Sequence, residues 1–503
     1  MADADGEDGG PDHHMSDAEA LMWHVEEDPL LSSNIGTVLL CDGPIDHRAL
    51  RRRMAAAVAA VPRLRERVVA GPTGLAVPQW RVDTDLDLDH HVRHVALPAP
   101  ATDAALWDLC AHLMADPLDR SRPLWQFWVI DGVGGDRGAL LVKLHHTVVD
   151  GEGALRLAEQ YLLAEADAAE PPEVDLDAVL AAAAEAEAQA GGHRRSTDGV
   201  DEGPAAPFDA VGNVLGDALR RPLGGMRRLA AEVMMTAADP ARAPEVGSQV
   251  LDTVRTLTDQ LSTGGRDGGS PLWRARSRRR VLLPFSLRLE PVLAAARGLG
   301  GTVNELFLAA AVEAAVRYHD DRDVPLQTLT ATFAMSARGG VASAPPNAFT
   351  LAKARLAATY ADPADRFAQV AEVLRAVRED VPADGNPVDG LAGVANLLPT
   401  PWLTQLARSQ TRHVDFATSN LRHAPFPVHL GGAKVLANHP IGPLAGTAWN
   451  CTLMSYDGSL DATLHVDPKA VDSPGELRDH LLESFGDLMA AAGADAEGLT
   501  APG

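Results

Sequence analysis

The chain has 503 residues, length enough for more than one hydrophobic core, and its 44 Lys plus Arg against 69 Asp plus Glu leave a formal net charge of −25. So acidic a surface repels phosphate backbones, and 8 Trp, 4 Tyr and 10 Phe offer little on which bases can stack, which excludes nucleic acid as a general partner. The three cysteines, Cys41, Cys110 and Cys451, are too few and too scattered for a disulfide framework or a metal cage, and no uncharged apolar run nears the roughly 20 residues that span a bilayer.

Along the chain, residues 1–14 are acidic and Gly-rich, without the basic start and apolar run of a signal peptide, and are expected to be a disordered tail of a cytoplasmic protein. Ser16 with Glu19 predicts a capped helix through Leu21, Met22 and Trp23. Residues 36–41 read as a strand, Asp46 opens a helix through Leu50, Met54 and Val58, and another helix fits Ala104 to Met114. Gly138 to His146 reads as a mostly buried strand. These elements place a first α/β domain at 15–164.

Between Glu165 and Glu202 there are eleven acidic residues and two basic ones, amid poly-Ala, so 165–269 is expected to be a solvated linker carrying amphipathic helices near Val211–Leu219 and Val250–Leu261. Arg220-Arg221 and Arg227-Arg228 among Leu219, Leu223, Met226 and Leu229 admit two readings, a lipid-surface contact or a linker helix packed on the domains. A second α/β domain is expected at 270–492, followed by a tail at 493–503. Its predicted strands cover 281–285, 329–335, 430–436, 448–456 and 461–466, the last two joined antiparallel through Asp457-Gly458. Its predicted helices cover 289–299, a stretch capped by Thr302 with an apolar stripe at Val303, Leu306, Phe307, Ala310, Ala314 and Tyr318, then 366–377 and 476–488.

One heptad carries chemistry: His145-His146-Thr147-Val148-Val149-Asp150-Gly151, directly after the apolar strand. Side chains alternate along a strand, so only one of the two imidazoles enters a given cavity. An imidazole with a pKa near about 6.5 suits proton abstraction from a hydroxyl at neutral pH. Asp150 can hold the loop by an ion pair, and Gly151 allows a tight turn. His90-His91 beside Asp87 and Asp89 lacks further ligands at metal spacing and reads as a surface strand, so no metal is expected.

HHTVVDG after such a strand resembles the active-site motif of the bacterial wax ester synthase/diacylglycerol acyltransferase family, within the chloramphenicol acetyltransferase and condensation-domain superfamily. The resemblance extends over most of the chain outside the linker. Ser16-Asp17-Ala18 followed by Glu26 resembles the family's opening; Trp80-Arg81-Val82-Asp83 and Leu88 to Arg93 resemble its next block. Pro123-Leu124-Trp125 matches its PLW motif, Thr302-Val303-Asn304-Glu305 its helix-opening ND motif, and the strand ending at Arg338 a further block. Ser419-Asn420, Gly431-Gly432 and Ser455 to Gly458 resemble its late blocks. Three positions depart: Glu305 stands for Asp, Leu421-Arg422-His423-Ala424-Pro425 for Pro-Gly-Pro, and Pro346-Asn347 for Gly-Asn.

What the resemblance implies is concrete. The fold would be two chloramphenicol-acetyltransferase-like α/β sandwich domains with an active-site tunnel between them. His146 would be the general base moving a long-chain acyl group from acyl-CoA, a substrate and not a cofactor, to diacylglycerol and/or a long-chain fatty alcohol. His145, Asp150 and Gly151 would shape the catalytic loop, with Asp150 paired to Arg338. Pro123, Leu124, Trp125, Asn304, Glu305, Arg338, Ser419 and Asn420 would bind substrate or hold structure, Trp125 by packing and Asn304 as a candidate oxyanion donor. A peripheral contact with membrane or lipid inclusions would suit such substrates. The competing readings are a condensation-type or polyketide-associated acyltransferase with another donor or acceptor, and a weakly active lipid-surface protein.

Overall fold

A computed structural model of the chain describes residues 13–70, 77–149, 151–196, 269–336, 349–380, 400–494 and 499–500. The Val211–Leu219 and Val250–Leu261 helices, the 219–229 arginine stretch and Pro346-Asn347 lie outside these residues.

The first part of the chain supplies strands β1 (Asn34–Cys41), β2 (Glu66–Val69), β3 (Gln79–Val82), β4 (Val92–Ala96), β5 (Trp125–Val133) and β6 (Arg137–His145). The later part supplies β7 (Val281–Arg288), β8 (Thr328–Ser336), β9 (Phe349–Ala357), β10 (Phe416–Arg422), β11 (His429–Leu430), β12 (Ala433–Ile441), β13 (Trp449–Tyr456), β14 (Ser459–Val466) and β15 (Leu499–Thr500). They form a six-stranded sheet of order β11-β12-β1-β6-β5-β4, a seven-stranded sheet of order β15-β7-β14-β13-β10-β8-β9, and the small ribbon β2-β3. Helices pack on both sheets, giving the mixed α/β architecture expected.

Period-two alternation sets the first sheet. Leu39 and Cys41 of β1 and Leu140, Val142 and Leu144 of β6 enter one core with helix His47–Ala60, whereas Val38, Ala139 and Leu141 enter another with helix Asp103–Ala115. Burial on both faces is why β6 reads as a nearly continuous apolar run. At Gly36 in β1 a Cβ would collide with the Val142 carbonyl oxygen, so only glycine lets β1 and β6 approach this closely here.

The second sheet hangs on its caps and turns. Thr302 and Glu305 close a reciprocal cap on helix Val303–Asp320, which packs with helix Pro474–Ala491 in one apolar core. The longer Glu305 side chain thus serves the cap, and its other oxygen meets Arg378 at 3.2 Å. Asp457 (φ 42°) and Gly458 (φ 80°) make the predicted two-residue turn between antiparallel β13 and β14.

The later part of the chain also completes the first sheet. The predicted strand 430–436 is interrupted by the positive-φ pair Gly431-Gly432, and β12 beyond it pairs antiparallel with β1 from Gly36↔Ile441 to Cys41↔Val435. Asp461 of β14, fully buried, accepts from the Asn438 backbone N–H of β12 at 2.8 Å and from the Ser286 and Ser459 hydroxyls. One carboxylate therefore ties the two sheets together.

His90-His91 is a correction. Instead of a surface strand it closes the short helix Leu88–His91, and His91 is fully buried. Its ring stacks on Trp125 at 4.3 Å and its Nδ1–H donates to the Trp125 carbonyl at 2.7 Å, while burial pushes its pKa down to about 4. A single helical turn has no periodicity to read, and a neutral imidazole passes as an aromatic in a core. Elements without a sequence expectation include β5, β9, β10 and helix Thr400–Thr411. Inside the segments expected as tails, Trp80 N–H donates to the His13 carbonyl at 2.7 Å, and β15 pairs with β7. Within the expected linker, helix Leu176–Ser196 places Glu187 on Arg81 and on the Val82 N–H.

No single helix among the described residues is long and apolar enough to cross a membrane. The pair Leu289–Gly298 and Val303–Asp320 bends by 91° and contributes to the buried core.

Replacing Asp461 with Ala strands a buried backbone N–H and two hydroxyls, and is expected to cost about 3 kcal/mol. Asp461→Asn, which keeps an acceptor, is expected to cost less than half of that. Denaturant midpoints at constant slope measure both.

Candidate active site

The two histidines at the end of β6 diverge as the strand alternation requires. The even-numbered face carries Val142, Leu144 and His146 into a cavity of about 170 Å³ between the sheets. The opposite face carries Lys143, whose Nζ donates to the carbonyls of Leu113 and Asp116 at the end of helix Asp103–Ala115, and His145. Burial lowers the Lys143 pKa to about 8.

His145 is fully specified by its neighbours. The Thr147 backbone N–H, which can only donate, points at Nδ1 at 3.2 Å, and the Thr147 hydroxyl lies 2.7 Å from the same atom. Nδ1 therefore offers its lone pair to Thr147, and the Nε2–H donates to Glu26. Glu26 also accepts from the Ser32 hydroxyl at 2.9 Å and the Ser33 N–H at 3.0 Å, and the Ser33 carbonyl accepts the His146 N–H at 3.1 Å. Side chain of one histidine and backbone of the next thus hang from one carboxylate. Burial opposes the Glu26 charge, yet the bonds from His145, Ser32 and Ser33 outweigh it and hold this carboxyl below its ordinary range.

The PLW residues sit behind this arrangement. Pro123, Leu124 and Trp125 are buried and line neither described cavity. The Leu124 carbonyl accepts the His145 N–H at 3.0 Å, and the Trp125 Nε1–H donates to the Leu64 carbonyl at 2.8 Å. Their contribution is to hold the strand end.

The cavity has an apolar side formed by Leu155, Ala158 and Leu162 and a sparsely polar side formed by Thr37, Asn438, Asn450 and Thr452. Ala334, Thr418 and Ser419 also line a smaller cavity of about 20 Å³ that includes Asn304, Arg378 and Asn420. There the Asn420 Nδ2 donates to the Asn304 Oδ1 at 2.7 Å, which leaves the Asn304 amide N–H groups available to other acceptors. His146 and Ser419 therefore share one cavity, Asn304, Ser419 and Asn420 the other, and Glu305 serves its helix cap. Gly151 begins helix Gly151–Ala158, while Asp150 and Arg338 lie outside the described residues. Among the described residues no group of three or more His, Cys, Asp or Glu is arranged to hold a metal ion.

Two residues that bear on the site went unread in the sequence. Glu26 was seen only as part of a resemblance, and its meeting with His145 spans 119 residues. Thr147, inside the heptad, left a usable signal: a hydroxyl two residues beyond a histidine is placed to bond back to it.

Comparison with known proteins matches residues 15–307 to the wax ester synthase/diacylglycerol acyltransferase catalytic domain and residues 346–489 to the WS/DGAT C-terminal domain. A Mycobacterium tuberculosis protein provisionally named a diacylglycerol O-acyltransferase is 31% identical over 489 residues, 95% of this chain and 91% of that protein. The wax ester synthase/diacylglycerol acyltransferase of Marinobacter aquaeolei VT8 superposes with a TM-score of 0.61 at 21% identity, covering 95% of this chain and 99% of the other. A starter condensation domain of rhizomide synthetase, solved with C8-CoA, superposes at 0.55 and 16% identity, covering 97% and 96%. At these identities the likeness to solved structures is one of fold, and it is the two-domain fold expected.

Glu26→Gln keeps the shape and removes the charge, and is expected to lower turnover by about ten- to a hundredfold through misplaced histidines, with circular dichroism unchanged. Because the folded pKa of Glu26 is depressed, its stabilisation is complete above the ordinary value of 4.5 and is lost as pH falls through the lower folded value. Wild type is therefore expected to lead the variant in denaturant midpoint at neutral pH and to lose that lead in acid.

Proposed function

The chain belongs to the wax ester synthase/diacylglycerol acyltransferase family, and from that premise we propose that it is an acyl-CoA-dependent O-acyltransferase acting on diacylglycerol, long-chain fatty alcohol or both. The observation that carries this reading is His146 in the wall of a largely apolar cavity between the sheets, on a strand end braced from behind. An apolar wall suits lipid chains, and an imidazole on a braced strand end suits a hydroxyl proton.

In the proposed mechanism the His146 imidazole takes the proton of the acceptor hydroxyl as its oxygen attacks the thioester carbonyl. The carbon–oxygen bond forms, the carbon–sulfur bond breaks, and the imidazolium returns its proton to the CoA thiolate. A thioester is already activated, so both substrates react directly and positioning supplies much of the rate. Asn304 is the proposed donor to the developing oxyanion, its amide N–H groups left over from the bond with Asn420. Asp150 paired with Arg338 would secure the histidine loop against the second half. The proposed halves are 15–164 and 270–492, and a peripheral contact with a membrane or lipid inclusion would bring the enzyme to its substrates.

Labelled palmitoyl-CoA offered to purified protein with diacylglycerol and hexadecanol side by side tests the reading. His146→Ala is expected to lower kcat/KM by about a hundred- to ten-thousandfold. Unchanged product formation in that variant ends the proposal. For the loop, a double-mutant cycle of Asp150→Asn and Arg338→Ala is expected to show a coupling of about 2 kcal/mol, and additivity ends the pairing.

A further inference from the structure

A second imidazole, that of His423, lines the cavity that His146 enters. His423 follows directly on β10, its backbone N–H donates to the Ser455 carbonyl at 2.9 Å, and its side chain lines the same cavity as His146, beside Leu421 and Met454. Its Nδ1 is buried without a hydrogen-bond partner among the described residues. The nearest aromatic, Tyr456, lies 5.7 Å away between ring centres, and its hydroxyl is committed to the Val428 N–H and the Val435 carbonyl.

We propose that His423 is a specificity-determining residue that hydrogen-bonds a second oxygen of the acceptor lipid, the ester carbonyl of a partial glyceride. This rests on the reading of the cavity as the acyl-transfer site. Nδ1 is shut away from the cavity and keeps its lone pair there, which leaves the ring proton on Nε2 as the donor for a ligand. Burial lowers the His423 pKa, against a smaller opposing pull from the Glu159 charge, so the ring is neutral at neutral pH and has one N–H to donate. A fatty alcohol carries a single oxygen, which the reaction commits to His146, and it sets only methylenes against His423. A diacylglycerol brings two ester carbonyls besides its hydroxyl, and so matches a cavity with two imidazoles.

The test uses the full-length purified chain, labelled palmitoyl-CoA, and 1,2-dioleoylglycerol and hexadecanol as separate and competing acceptors. His423→Leu is expected to lower kcat/KM for dioleoylglycerol by about tenfold while hexadecanol changes by less than about twofold. His423→Gln, whose amide also donates an N–H, is expected to restore most of the glyceride preference. Melting temperatures are taken alongside, and His423→Met replaces the leucine variant if that one melts early. A ratio of the two acceptors unchanged from wild type, or lost equally in the glutamine variant, overturns the role of His423 and leaves the acyltransferase reading standing. Wild-type protein that acylates neither acceptor overturns both.

Discussion

The Glu26 carboxylate organises the site. It receives the His145 Nε2–H on one oxygen and the Ser32 and Ser33 donors on the other, and Ser33 passes the restraint on to the His146 backbone. A residue proposed as the base gains from a strand end that is held in place before substrate arrives. His145 is thereby spent as a fixed hydrogen-bond relay, and His146 is presented to the cavity. The division of labour follows from strand alternation, which sends neighbouring side chains to opposite faces.

The cavity exists because the two sheets are held apart and yet tied. β12 pairs with β1 along most of the length of both strands, and Asp461 fastens β12 to the second sheet. Thr37 of β1 and Asn438 of β12, whose side chains approach to 2.5 Å, are also cavity wall. The tie between sheets and the lining of the cavity are thus partly the same residues. The smaller cavity, which holds Asn304 and Asn420, adjoins the larger one at Ala334, Thr418 and Ser419, which line both.

Much of this was legible in the sequence where the signal is local. Ser16 with Glu19, Asp46, Thr302 and the Asp457-Gly458 turn declare themselves because caps and turns are decided within a few residues, whereas the part of Glu305 in the Thr302 cap shows only in the structure. The apolar run into His145-His146 announced a strand buried on both faces and placed one imidazole in a cavity. Long-range choices left no such mark. Pairing of β12 with β1 joins residues about four hundred positions apart, and the contact of Glu26 with His145 spans 119. β10, with its polar centre Thr418-Ser419-Asn420, lacks the alternation of a half-buried strand because those side chains line cavities. Residues 421–425 stood out only as a mismatch to the Pro-Gly-Pro of the family they resemble, and the fold is what places His423 in the cavity wall.

The exchange of β11 and β12 into the first sheet has a consequence for how the polypeptide matures at the ribosome. Until residue 441 has emerged, β1 offers its unpaired edge to any passing strand, and the first sheet waits on the last third of translation for its closing partner. The first half is not a self-sufficient folding unit in that sense, whereas the second sheet draws only on strands of the later part of the chain. The heavily acidic composition, which keeps nascent chains apart, is a fitting safeguard over so long an interval.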